Sequence, residues 1–118
     1  PWARANRYQT EFLLSNYDAE VLNSSKEMAD YFEKTLSYLS AKSAKIVANW
    51  IMVELSALLN KENCEISQSK IAPEQLAQLI AKIEDRTISG KIAKEIIEIM
   101  WQSSQSAETI IREKNLAQ

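Results

Sequence analysis

The stretch from Lys42 to Lys61, KSAKIVANWIMVELSALLNK, constrains the fold more than any other part of the chain. Wound as an α-helix at about 100° per residue, it gathers Lys45, Asn49, Ser56 and Asn60 into one narrow polar stripe. Nearly all the remaining circumference is apolar: Ala44, Ile46, Val47, Ala48, Trp50, Ile51, Val53, Leu55, Ala57, Leu58 and Leu59. A helix with so little polar surface must be covered from several sides. It is therefore expected to be the central helix of an all-α domain. Lys45, Asn49 and Glu54 interrupt it too often for the apolar run of ~20 residues that a membrane span needs.

Glu54 breaks the pattern. It lies about 180° from Lys45 at ~3.6 residues per turn, among Val47, Trp50, Ile51 and Leu58. A carboxylate on that side must be paired, neutralised or placed at a subunit boundary. Without a His or a second acid beside it, it makes a poor catalyst. Its expected role is structural, accepting hydrogen bonds from a neighbouring helix N-terminus or pairing with a basic side chain. Trp50, one turn earlier, reads as core.

The 118 residues fit one domain able to bury a core. One Gly and two Pro leave few turn residues for sheets and favour helices. A net charge of −2 excludes a strongly basic chain, so any polyanion must meet a local patch. With no His and a single Cys, Cys64, a zinc site, an internal disulfide and catalysis by a His-activated nucleophile are all excluded. The unpaired Cys64 reads as a small loop residue in a reduced, intracellular setting. The opening Pro1-Trp2-Ala3-Arg4 has neither an initiator Met nor a signal peptide. It looks like a piece of a longer polypeptide, although proteolytic processing would leave the same start.

Taken in order, Trp2 to Leu13 shows a loose helical stripe, and Ser15-Asn16-Tyr17-Asp18 carries helix-stop and helix-start chemistry before a short helix through Leu22. Ser24 and Glu27 read as a capping box for a helix running to about Leu39. Residues 62–72 form the longest connection, an exposed loop anchored by Cys64 and Ile66. Pro73 opens a helix that ends near Arg86, and Thr87 and Ser89 both suit the cap of the next one. Gly90, the sole glycine, stands at that junction to allow a tight turn or a close helix approach. The following helix buries Ile92, Ala93, Ile96, Ile97, Ile99 and Met100, with Trp101 at its edge. Trp101 reads as helix-end packing or, in second place, as an exposed contact. Ser106 can cap a last helix through Ile110 and Ile111. No segment sustains period-two alternation, so the expected fold is all-α, a multihelical bundle of about six to seven helices around 42–61.

The wording of several motifs adds to this. Tyr17-Asp18-Ala19-Glu20-Val21-Leu22, Ser24-Ser25-Lys26-Glu27-Met28-Ala29-Asp30-Tyr31-Phe32, Ala48-Asn49-Trp50-Ile51-Met52 and Thr87-Ile88-Ser89-Gly90-Lys91-Ile92-Ala93-Lys94-Glu95 follow one another in order. Together they resemble the helical region after the catalytic domain in the GatB subunit of aspartyl/glutamyl-tRNA(Asn/Gln) amidotransferases, a GatB/YqeY-like domain. YqeY-like proteins share the later part only. The resemblance implies a helix over 1–16 that links to an N-terminal catalytic domain, and a GatB/YqeY-type domain over 17–118 that leads into a tail subdomain. It implies a noncatalytic module that helps to position misacylated Asp-tRNA(Asn) or Glu-tRNA(Gln) for transamidation during translation. Subunits A and C would be partners through the parent protein. ATP and Mg²⁺ would belong to the parent's catalytic domain, with no cofactor in this segment, no DNA or membrane partner, and a cytoplasmic setting. The alternative is a helical spacer that orients neighbouring domains without touching RNA. Val53 and Asn115 stand where Gly is usual in the family, and Gln102 to Ser106 replaces a glycine-rich connection. Val53 suggests slightly wider helix packing, and Asn115 suits a helix C-cap.

Lys82, Arg86, Lys91 and Lys94 form the best local basic cluster, around the junction at Gly90. Free N–H groups at a helix start favour anions, so a tRNA phosphate is the ligand the cluster suits. Against this stand Glu84, Asp85, Glu95 and Glu98, which would neutralise it on an ordinary solvated face. Arg4 and Arg7 are a second basic pair, facing RNA or a neighbouring domain.

Overall fold

The computed structural model describes residues 2–114 and, for Trp2, the backbone only. Asn115 and its expected C-cap role lie outside the described residues. Within them the chain forms α1 (Trp2–Glu11), α2 (Asn16–Leu22), α3 (Lys26–Ser37), α4 (Ala44–Asn49), α5 (Ser56–Lys61), α6 (Pro73–Glu84), α7 (Gly90–Ser103) and α8 (Ala107–Lys114), with no strand. A 3₁₀ turn (Ala41–Ser43), α4, a π-helical stretch (Trp50–Leu55) and α5 run on without a break, so residues 41–61 are one rod, the central helix. The fold is an all-α bundle.

Serines start most of these helices. The hydroxyl oxygens of Ser15, Ser25, Ser89 and Ser106 accept the N–H groups of Asp18, Met28, Ile92 and Thr109 at 3.0, 3.1, 3.2 and 3.2 Å. Each such cap is worth about 1 kcal/mol. The cap of α3 is Ser25 and not Ser24. Glu27 thereby becomes the second helical residue, one too early to close the expected box. Nor does Thr87 cap α7. Its N–H and hydroxyl both donate to Asp85 Oδ1, at 2.9 and 2.6 Å, and so finish the end of α6.

The middle of the central helix departs from a regular α-helix. Both the N–H and the hydroxyl of Ser56 donate to the Ile51 carbonyl, the hydroxyl at 2.7 Å. This five-residue reach turns the chain less per residue than the α pattern. The exposed row consequently runs Lys45, Asn49, Val53, Ala57 and Lys61, every fourth residue, while Ser56 is drawn half inside. Val53 is 60% exposed, so it widens no helix packing within the chain. The opposite face, with Val47, Ala48, Trp50, Ile51, Leu55, Leu58 and Leu59, is buried.

The closest helix pair is α3 with α6. Around it, α6 also meets α4, α7 and α8, and α3 meets α2, α4 and a short 3₁₀ turn, Ile66–Gln68. The expected loop 62–72 is therefore partly embedded. Ile66 and Ile71 are buried, and the Tyr31 hydroxyl donates to the Ile71 carbonyl at 2.6 Å. The first helix is pinned by Tyr8, Phe12 and Phe32, whose ring centroids lie 5.0 to 5.8 Å apart, a spacing at which aromatic rings attract one another.

Candidate nucleic-acid interface

The corner between α6 and α7 carries the sequence-predicted basic cluster. The helix ends by a left-handed residue: Arg86 has φ 66°. The N–H groups of Arg86 and Thr87 donate to the carbonyls of Ile83 and Lys82 at 3.1 and 3.0 Å, the pair of bonds that closes a helix C-terminus. Ile88, 1% exposed, plugs the corner into the core before Ser89 starts α7. Lys82 stands in the last turn of α6, Arg86 at the corner itself and Lys91 in the first turn of α7.

Lys94 points elsewhere. Its ammonium lies 3.6 Å from Glu54 Oε1 on the central helix. Glu54 is thus paired with a basic side chain across two helices, and its side chain is 24% exposed. A pair this open to water contributes about 1 kcal/mol at most. Acids also share the corner. Bonds from the Thr87 hydroxyl and amide hold the Asp85 carboxyl below the usual carboxylate range, helped by the nearby Lys82 charge. Glu84 accepts the Ser43 hydroxyl at 3.0 and 2.8 Å and ties the corner to the start of the central helix.

Gly90 does not serve the purpose read from the sequence. Its φ is not positive, and a Cβ added there would meet nothing within 4 Å. It is simply the first residue of α7, and Arg86 makes the turn. Trp50 is core, at 7% exposure. Trp101 is buried too, at 3%, with the Lys70 ammonium 5.8 Å from the centre of its ring, so it offers no exposed contact. The second basic pair is engaged within the fold. Arg7 donates to Glu33 Oε1 at 2.7 Å, and Arg4 donates to Asn23 Oδ1. Among the described residues no group of His, Cys, Asp and Glu could hold a metal ion.

The sequence order that carries these elements matches a known family. A family model of the GatB domain covers residues 30–118. The chain belongs to the GatB domain family. Relatives of this GatB domain include the GatB subunit of the aspartyl/glutamyl-tRNA(Asn/Gln) amidotransferase of Moraxella catarrhalis, 51% identical over the whole of this chain. The subunits of the same name from Acinetobacter baylyi and Pseudomonas syringae pv. tomato are 48% and 49% identical, again over the whole chain. The chain spans 24% of the length of each of these relatives. No helix among the described residues is long and apolar enough to cross a membrane.

What the sequence does not disclose is the partner of Glu54. Glu54 is visible as an acid out of pattern, but Lys94 lies forty residues on and faces it only once the two helices cross.

Proposed function

We propose that this GatB domain is a noncatalytic helical module of the GatB subunit of a tRNA-dependent amidotransferase, which helps to hold misacylated Asp-tRNA(Asn) or Glu-tRNA(Gln) during transamidation. The match over the full chain to subunits of that name carries the reading. On it, ATP and Mg²⁺ act in another part of the parent protein, subunits A and C are its partners there, and the setting is cytoplasmic. The division at residues 16 and 17, with a linking helix before the module, belongs to the same proposal.

Within the module we assign phosphate contact to Lys82, Arg86 and Lys91 at the α6–α7 corner, with Lys94 one turn further along α7. The glutamates and Asp85 nearby would limit this contact to a few phosphates. The test is binding of a tRNA by the 118-residue chain across a salt series, with Lys82→Glu and Lys91→Glu variants alongside. Each variant is expected to weaken binding and to reduce the logarithmic salt slope by about one.

A second reading has its own observation. Leu13 and Tyr17, at the α1–α2 junction, are 82% and 69% exposed. Two large apolar side chains side by side in water favour a face that seats a neighbouring protein domain. If the chain binds no RNA at any salt concentration, this spacer reading replaces the first.

A further inference from the structure

The corner is not the most cationic surface of the molecule. Between residues 41 and 61 the exposed residues are Ala41, Lys42, Lys45, Asn49, Val53, Ala57, Asn60 and Lys61. No carboxylate is among them. Each of the other α-helices, α1, α2, α3, α6, α7 and α8, exposes at least one Asp or Glu. The one acid within 41–61, Glu54, is turned away to Lys94. Lys42, Lys45 and Lys61 make no ion pair with the described residues. In a chain of net charge −2, one helix face thus presents three unneutralised cations and two amides.

The π-helical stretch organises that face. Because it turns less per residue, it keeps Lys45, Asn49, Val53, Ala57 and Lys61 in a nearly straight row. At 1.5 Å per residue the two end lysines stand roughly 24 Å apart. Val53 and Ala57 are short enough to let a polymer backbone lie against the helix between them. The Ser43–Glu84 hydrogen bonds join the Lys42 end of this row to the α6–α7 corner.

We infer that the exposed face of the central helix is a docking surface for the phosphodiester backbone of double-helical RNA. This rests on the RNA-binding reading above and extends it to a second, larger surface. Charge complementarity selects the polyanion: Lys42, Lys45 and Lys61 meet phosphates, and the amides of Asn49 and Asn60 donate to phosphate or 2′-hydroxyl oxygens. The face has no aromatic side chain, so it lacks the stacking platform by which unpaired bases are held. A duplex, recognised by backbone and shape, fits it.

The test measures binding of the 118-residue chain to an RNA hairpin of one to two helical turns, to a single-stranded RNA of equal length and to phosphatidylserine vesicles. Lys45→Glu/Lys61→Glu, Val53→Glu, Lys91→Glu and Lys114→Glu are compared across a salt series. All five positions are exposed, and unchanged circular dichroism and melting temperature establish that each variant folds. The expected result is preference for the hairpin and loss of roughly tenfold or more in affinity for Lys45→Glu/Lys61→Glu, with a salt slope lower by about two. Val53→Glu is expected to weaken binding by adding a carboxylate mid-row, and Lys114→Glu to leave it unchanged. If Lys91→Glu weakens binding but the central-helix variants do not, the surface proposal is overturned and the RNA reading stands. An equal loss in Lys114→Glu means diffuse attraction and overturns the surface alone. Binding to vesicles but not to RNA, or to none of the three, overturns both.

Discussion

Four residues hold a positive φ, and none of them is the chain's glycine: Leu13 at 56°, Asn63 at 53°, Arg86 at 66° and Ser104 at 62°. Asn tolerates this conformation through its short polar side chain, but a residue such as Ser pays for its Cβ. Ser104→Gly is therefore expected to stabilise the protein by about 0.5–1 kcal/mol, seen as a higher urea midpoint with an unchanged slope. The sequence shows that residues 102–106 lack the glycines usual in the family. It does not show which one adopts the left-handed conformation, because that depends on where the carbonyls of α7 stop finding donors. Ser24 and Ser25 illustrate the same limit. Both hydroxyls have the chemistry of a cap, and only the path of the backbone decides that Ser25 takes the role. Pro73, Ser89 and Ser106 are legible because each has a single sensible place at a helix start.

At the scale of elements, the period of the apolar residues is enough to locate every long helix, since burial of one face repeats at a fixed angle whatever the helix packs against. The same argument fails inside 41–61. The Ile51 carbonyl accepts from Ser56, five residues on, and the exposed row moves from Ser56 to Val53 and Ala57. Periodicity assumes a constant turn per residue, so a change in hydrogen-bond reach is invisible to it. The connection 62–72 misleads for a related reason. Polar composition marks it as loop, but Ile71 is buried and its carbonyl takes the Tyr31 hydroxyl. Tyr31→Phe leaves that carbonyl without its donor and is expected to cost about 1–3 kcal/mol. Hydrogen exchange should show faster opening across residues 66–72 than across α6.

For the whole molecule, the attachment of α1 carries a pH dependence. Burial pushes the Glu33 carboxyl up, but bonds from the Tyr8 hydroxyl and the Arg7 guanidinium outweigh it and hold the group below its ordinary range. A carboxyl depressed in the folded state adds stability above its unfolded pKa, about 4.3, and loses it as pH falls through the folded value. The difference in urea midpoint between the wild type and Glu33→Gln is therefore expected to be largest near neutrality and to shrink below about pH 4. Family membership is legible at this scale, because ordered motifs run the length of the chain. The basic corner is legible only as composition, and its loss of Lys94 to Glu54 needs the helices in place. The left-handed corners have a mechanical meaning as well. Asn63, Arg86 and Ser104 sit at joints between rods, and an L-residue there occupies a narrow conformational well where glycine would leave a broad one. Such joints resist bending, so a displacement applied at one end of this 44 Å body is passed to the other and not absorbed along the way.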